Sequence, residues 1–318
     1  MTDAVARFAT YVATLGRGPG RSRALTRAEA ADAMRLLLDR APEPVQIGAF
    51  LMLLRYRGED PTEIAGLVEA AHERMRLPGL HAALDWPSYG AGRTRGTPWF
   101  LLAALALGRA GLPVLMHGSN EFSGGQTVVQ ALQALSLSAA HDATTAAERL
   151  RAGGFAYVPI ESLSPVFADL LSLRRLLGLR SPLNTVARLL NPANAPASVD
   201  GVFHPPYVEV HLAAAALLGR QRLLVLKGGG GEAERNPAKD TAIFLHDAAG
   251  GRTERMLPAL HTAPPSAPEP DIAAIWHRAA HDAAIEARIV GTIALGLIAA
   301  DRRDDEAQTI WESRHAGR

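Results

Sequence analysis

The sequence predicts an α/β protein: a small all-helical N-terminal part followed by a larger part built on a mainly parallel sheet. Three observations predict it. Residues 1–78 read as helices only, with apolar positions recurring at helical spacing. Beyond Pro78-Gly79, short apolar runs alternate with helical stretches. The composition, 48% hydrophobic with 29 glycines and only 5% aromatic residues, suits helices packed closely on a small-residue sheet. With 33 basic against 32 acidic residues, the 318-residue chain is too apolar and too balanced for a disordered protein. It has no cysteine, which excludes disulfides, thiolate metal sites and cysteine nucleophiles.

In the first part, Ala28–Asp39 and Pro44–Arg55 read as helices whose buried faces hold Leu36, Leu37, Ile47, Phe50, Leu51 and Leu54. Asp60-Pro61-Thr62-Glu63 is a helix start, with aspartate at the cap, proline at the first helical position and glutamate at the third. Ile64, Leu67, Val68 and Ala71 follow at helical spacing. Strands are expected at Ala83–Trp86, Pro113–His117, Phe155–Val158, Ser198–Val202 and Leu223–Lys227. Helices near Pro98–Ala110, Gln126–Leu135, Thr145–Ala152, Tyr207–Leu218 and Ile272–Ala300 separate them, and Thr145-x-x-Glu148 reads as a capping box. Strands divided by helices of this length pair in parallel through crossovers. Residues 164–190 break the alternation with two consecutive helical pieces. The expected organisation is a helical domain over 1–78, rejoined by helices from about 164–190, and an α/β domain over 79–318. No export signal is visible. The longest uncharged apolar stretches, Gly96–Gly108 and Ile289–Ala300, fall short of the ~20 residues of a membrane helix. The expected compartment is the cytoplasm, with no membrane partner.

Charge is unevenly placed. Gly16–Ala28, Trp86–Asn120 and Leu170–Val199 together hold eleven arginines and no acid, so the rest of the chain carries −10 against a total of +1. Such segregation suggests one positive region on an otherwise acidic body. Arginines that each pair with a distant carboxylate would give the same count.

Four loops carry the chemistry. Ser88–Gly96 (SYGAGRTRG) follows a strand and precedes a helix; Gly90 and Gly92 let backbone N–H groups approach an anion, and Arg93 and Arg95 add charge. Met116–Gly125 repeats that placement with His117, Ser119, Asn120, Gly124 and Gly125, where open parallel sheets bind ligands. An orienting hydrogen bond is the other reading of His117. In Arg174–Asn184, Arg174, Arg175 and Arg180 could bind phosphate or carboxylate, or lie on a solvated helix face. Lys227 opens the run Gly228–Gly231, which is costly to order and so implies either a close backbone approach or a mobile loop.

The order of these loops resembles anthranilate phosphoribosyltransferase and its relatives, the family-3 glycosyltransferases that include thymidine phosphorylase-like enzymes. The resemblance runs over nearly the whole chain. It is carried by HGSN at His117–Asn120, RRLLGLRSPLN at Arg174–Asn184, and Asn191-Pro192, where the family has KHGN, R-x-x-LG-x-RT-x-FN and LGPL-x-NP. It implies a small α domain plus a large α/β domain of the nucleoside phosphorylase/phosphoribosyltransferase type, and a homodimer formed through the α domain. The family's GTGGD loop stands here as YGAGRTRG without its aspartate. Its N-x-ST segment is replaced by Thr97-Pro98-Trp99, and the lysine before HGN is Met116. Its DG-x-DE metal pair falls on Ala233 and Glu234, leaving Glu234, with Glu232 in another register, as the remaining metal candidates.

These departures match a divergent branch of the family, the YbiB-type proteins, which bind nucleic acid without evident sequence preference. The expectation is therefore a nucleic-acid-binding protein, for single-stranded DNA or RNA, on a transferase scaffold. No residue is assigned a catalytic role and no cofactor is required. The alternative is a phosphoribosyltransferase or phosphorylase with an unknown acceptor and magnesium. Trp86, Tyr89, Trp99 and Phe122 are candidates for base stacking, although at least half of them are expected in the core. The segments Trp86–Asn120 and Leu170–Val199 are expected to face each other across one cleft.

Overall fold

The computed structural model describes residues 2–18, 20–90, 96–121, 123–260 and 263–315. Four helices open the chain: α1 (Asp3–Gly16), α2 (Arg27–Leu38), α3 (Pro44–Arg57) and α4 (Pro61–Met75). Each begins where a side chain satisfies free N–H groups, a requirement of every helix start. Thr26 and Glu29 form a reciprocal box at α2. Asp60 accepts from the N–H groups of Thr62 and Glu63 at α4, as its motif predicts. The Glu63 carboxylate accepts from the Leu25 N–H at 2.7 Å, tying α4 to the loop before α2.

The second part runs β1 (Leu84–Ser88), α5 (Phe100–Arg109), β2 (Val114–Gly118), α6 (Val128–Ala134), α7 (Ala143–Gly153) and β3 (Phe155–Pro159). Four short helices follow: α8 (Ile160–Leu163), α9 (Pro165–Ser172), α10 (Arg174–Leu177) and α11 (Leu183–Arg188). Then come β4 (Ala197–Val202), α12 (Tyr207–Leu217), β5 (Arg222–Lys227), β6 (Thr241–Asp247), β7 (Gly251–Leu257), α13 (Ile272–Trp276), α14 (Ala283–Ala299) and α15 (Ala307–Glu312). The sheet order is β3-β2-β1-β4-β5-β6-β7, parallel from β3 through β5 and antiparallel beyond. All five expected strands form.

Three details differ from expectation. The β6–β7 hairpin extends the sheet unannounced, because β7 exposes six of its seven residues and reads as polar loop. Its Arg252, Glu254 and Arg255 place charge on an edge strand, which discourages pairing with another chain. The stretch expected as one helix over Ile272–Ala300 divides into α13 and α14, since Asp282 caps α14 by accepting from Ala284 and Ile285 N–H at 3.0 Å. Asp142, not Thr145, caps α7, accepting from the Thr145 N–H at 2.8 Å. Among the described residues no helix is long and apolar enough to cross a membrane.

Each sheet face has its own core. On one, α5 and α14 cover Leu84, Trp86, Val114, Met116, Val199, Leu224 and Leu226. On the other, Val202, Leu223 and Val225 pack with α12, with Phe167 and Leu170 of α9, with Leu183 and Val186 of α11, and with Phe50, Ile64 and Leu67 of the N-terminal helices. The opening helices and this face of the sheet thus share one hydrophobic cluster, which sets α3 and α11 over the strand ends.

The carboxyl ends of β1 and β2 lie level, Ser88 opposite Gly118. A Cβ at Gly118 would stand 1.9 Å from the Ser88 carbonyl oxygen, so the glycine of the HGSN motif is demanded by strand spacing. Gly118→Ala should lower stability by about 2–3 kcal/mol in urea denaturation, as overpacking does. Ser119→Ala, next to it and partly exposed, should change stability by less than about 0.5 kcal/mol.

Candidate anion-binding cleft

In a parallel sheet whose order reverses, ligands sit beyond the carboxyl ends of the strands where the chain switches direction. Here β1 leads to β2 and β3 on one side, and β4 then returns to its other side, so the switch lies between β1 and β4. Arg188, at the end of α11, occupies that point and is buried. Its Nε donates to the Gly201 carbonyl at 3.0 Å and its Nη1 to that of Asn184 at 3.3 Å. Its Nη2 donates to the carbonyls of Tyr89 and Gly231, both at 3.0 Å. Counting back from Asn191-Pro192, the family pattern LGPL-x-NP places a proline where this chain has Arg188.

Around Arg188 lies a narrow pocket of about 50 Å³ bounded by Arg55 of α3, Glu59, Arg180, Asn184, Phe203 and Tyr207. Arg180 is half-buried, with its guanidinium 5.3 Å from the Phe203 ring centre. Burial, and then the charges of Arg188, Arg174 and Arg55, push its pKa down from the ordinary arginine value. Four guanidiniums gathered this closely favour an anion. Phe203 is 41% exposed, with the His204 ring edge-on at 4.7 Å. Beyond these two rings opens a wider cleft of about 780 Å³, lined by Lys227, Gly228, Gly229, Lys239, Glu209 and Asp240 among others. Lys227 is exposed at the end of β5.

The glycine run after Lys227 is ordered by its own geometry. Gly230 and Gly231 have φ of +67° and +83°, and a Cβ at Gly228 would stand 1.6 Å from the Glu232 carbonyl oxygen. The close approach implied by the sequence is thus to the turn itself and to Arg188.

Other sequence-predicted residues take structural positions. His117 is wholly buried, its Nδ1 2.8 Å from the Tyr89 hydroxyl and its Nε2 3.3 Å from Asp85 Oδ1. Burial holds Tyr89 well above the usual tyrosine range, so its hydroxyl stays protonated and shares a hydrogen bond with Nδ1. The orienting reading of His117 describes this position. Asn120 donates from Nδ2 to the Tyr157 hydroxyl at 2.8 Å and accepts the Val129 N–H at 3.3 Å. Ser119 is partly exposed; its Oγ accepts the Glu121 N–H, and its own N–H donates to the Ser88 carbonyl. Gly90 is buried, Gly124 exposed and Gly125 half-buried. Arg175 is ion-paired with Glu121 at 2.7 Å, and Arg174 is half-buried. Gly92, Arg93, Arg95 and Phe122 lie outside the described residues.

The two acid-free segments do meet, Arg188 reaching Tyr89, and Ser172 and Arg175 of the second reach Glu121, just beyond the end of the first. Arg23 and Arg27 of the first such segment are instead paired with Glu29 and Glu69 at 2.6 and 2.9 Å. The stacking candidates need correction: Trp86 and Trp99 are fully buried and Tyr89 is 2% exposed, all packed as core. The exposed ring at the cleft is Phe203, whose signal was its place just after a parallel strand. Arg55 and Glu59 were missed because the end of a helix distant in sequence and the loop after it carry them.

Among the described residues, the positions that the resemblance assigns to magnesium do not fit it. Ala233 takes one metal position. Glu234 accepts the Phe100 N–H at 2.9 Å through Oε2, capping α5, and Arg288 lies 3.4 Å from its Oε1. Glu232 is 2% exposed. Among the described residues no group of three His, Asp or Glu side chains could hold a metal ion.

Residues 9–75 match the helical bundle domain of a glycosyl transferase family, and residues 100–273 match that family's a/b domain. The chain belongs to this family. The anthranilate phosphoribosyltransferase of Methylocella silvestris is 31% identical over 220 residues, 69% of this chain and 63% of that protein. That of Chloroflexus aurantiacus is 31% identical over 240 residues, 74% of this chain and 69% of its own length. The chain therefore spans a little under two thirds of the Methylocella relative. The crystal structure of anthranilate phosphoribosyltransferase from Thermus thermophilus matches with a TM-score of 0.78 at 24% identity, covering 99% of this chain and 95% of that one. The Saccharomyces cerevisiae enzyme in complex with PRPP and Mg gives 0.77 at 17% identity, covering 97% and 93%. The fold is that of the anthranilate phosphoribosyltransferases, and this family member carries Arg188 in its cleft.

Glu59 supplies a test of the pocket's electrostatics. Its side chain is 4% exposed, and burial raises its pKa despite Arg55 at 4.0 Å. A raised carboxyl holds its proton more tightly folded than unfolded, so its stabilising contribution is full below the ordinary glutamate range and is lost as pH rises through the folded value. Glu59→Gln should therefore raise the melting temperature at pH 8 and give no gain near pH 4. An equal shift at both pH values would refute the assignment.

Proposed function

We propose that the cleft binds single-stranded nucleic acid through its phosphates, without sequence preference, and that phosphoribosyl transfer has been lost. The observation that carries this reading is the gathering of Arg55, Arg180 and Arg188 in the pocket beside the exposed Phe203, with the charge of Arg174 acting on Arg180. Guanidiniums supply sequence-independent affinity for backbone phosphate, and an exposed aromatic ring offers every base a stacking face. Lys227 extends the positive path toward the wider cleft. The misfit with magnesium supports loss of the transferase step, which needs charge neutralised on the diphosphate. A homodimer through the helical part belongs to the same proposal; Val45 and Tyr56 of α3 are 78% and 92% exposed there.

The second reading, a phosphoribosyltransferase for an unidentified acceptor, is favoured by the 31% identity to enzymes of that name over about two thirds of the chain or more.

Fluorescence anisotropy of labelled oligonucleotides separates the two. Binding should weaken steeply with salt and vary little with base sequence. Arg180→Ala with Lys227→Ala should lower the salt slope by roughly 0.7 per lost phosphate contact on single strands. Phe203→Ala should cost about 1–3 kcal/mol of binding. Anthranilate with phosphoribosyl diphosphate and magnesium should give no product above background. Product formation together with salt-insensitive oligonucleotide binding would put the transferase reading ahead.

A further inference from the structure

A second cavity lies at the other end of the sheet, where β3 begins; Phe155 there pairs with Val114, the first residue of β2. About 410 Å³ in volume, it is enclosed by the C-terminal ends of α5, α6 and α7, the start of β3 and Trp276, a size ordinary for small-ligand sites. Its walls are apolar, with Leu105, Leu132, Phe155 and Trp276 prominent, and two guanidiniums border it. Arg109 rests on the Trp276 ring, 5.0 Å from its centre, and donates to the Arg314 carbonyl at 2.9 Å. Arg149 donates to the carbonyl and hydroxyl of Ser138. Among the described residues neither is ion-paired with a carboxylate. An apolar chamber with two uncompensated cations at its rim selects a molecule that is apolar at one end and anionic at the other.

The cavity is joined to the loop after β2 through Tyr157. Tyr157 lines it, is 1% exposed, and its hydroxyl accepts from Asn120 in the loop after β2. We propose that this cavity binds a small aromatic carboxylate and that Tyr157 transmits its occupancy to the Asn120 loop. The inference stands whichever reading of the strand-end cleft holds.

The test uses 1-naphthoate as the probe and 1-naphthalenemethanol as its uncharged counterpart, in calorimetric titration of the full chain. The carboxylate should bind at one site, and the alcohol roughly tenfold more weakly, the worth of one charge-assisted hydrogen bond. A Cβ at Gly153, on the cavity wall, meets nothing within 4 Å, so Gly153→Leu fills the chamber without backbone conflict and should abolish binding. Arg149→Met should weaken it roughly tenfold, and Arg180→Ala should leave it unchanged. On adding naphthoate, the Asn120 side-chain amide resonances should shift in the wild type and not in Tyr157→Phe. Absence of binding at millimolar naphthoate, unchanged affinity in Gly153→Leu, or loss in Arg180→Ala instead would overturn the site. A shift that persists in Tyr157→Phe would overturn the link. If Gly153→Leu melts early, nuclear Overhauser contacts between naphthoate and the Trp276 indole of the wild type decide, their presence supporting the site and their absence overturning it.

Discussion

Four carbonyl oxygens, from Tyr89, Asn184, Gly201 and Gly231, converge on the one guanidinium of Arg188, and the arrangement of the cleft depends on them. They belong to the end of β1, the helix α11, the end of β4 and the glycine turn after β5. A strand end has carbonyls that its neighbours no longer satisfy, and burying them unbonded is costly. Arginine can answer several at once because its planar fork carries five donors. The result is a fixed positive charge at the switch point of the sheet. Anything entering the pocket meets that charge together with Arg55 and Arg180.

The charge is also balanced from below. Asp85 and Asp200 project from β1 and β4 onto the face that the helices cover, and both are wholly buried. Asp85 lies beside His117, and Asp200 accepts from His211 Nδ1 at 2.8 Å while burial pushes its carboxyl up. Both aspartates act favourably on Arg220, which donates to the Leu189 and Leu190 carbonyls. A polar layer of paired acids and bases therefore lies between sheet and helices. Within it Asp200 is held by His211 and His117 by Tyr89, whereas among the described residues Asp85 makes no hydrogen bond and is answered by its neighbours' charge alone.

Much of the frame was legible in the sequence, because short apolar runs between capped helices leave few ways to build a sheet. The β6–β7 hairpin was not, since a solvent-facing edge strand with alternating Arg252 and Glu254 has the composition of a loop. The cleft was legible where position alone decides it: Lys227 ends a strand, and Arg174 and Arg180 follow a break in the strand–helix rhythm. It was misleading at His117 and Asn120. Both stand at a strand's carboxyl end, yet their side chains turn inward to Tyr89 and Tyr157. No local pattern tells an inward from an outward side chain there. Arg55 and Glu59 were invisible for another reason: nothing within α3 or the loop that follows it says what they will be packed against.

Family resemblance divides this chain into two modules, one over residues 9–75 and one over residues 100–273. The hydrophobic cluster shared by Phe50, Ile64 and Leu67 with Leu223 and Val225 does not respect that division. Cut between the modules, α11 and α12 would expose the surface that α4 now covers, and the opening helices would lose the surface they fold against. Recombination that exchanges one module for a relative's must therefore carry the matching half of this buried seam with it. The pair is inherited as a unit.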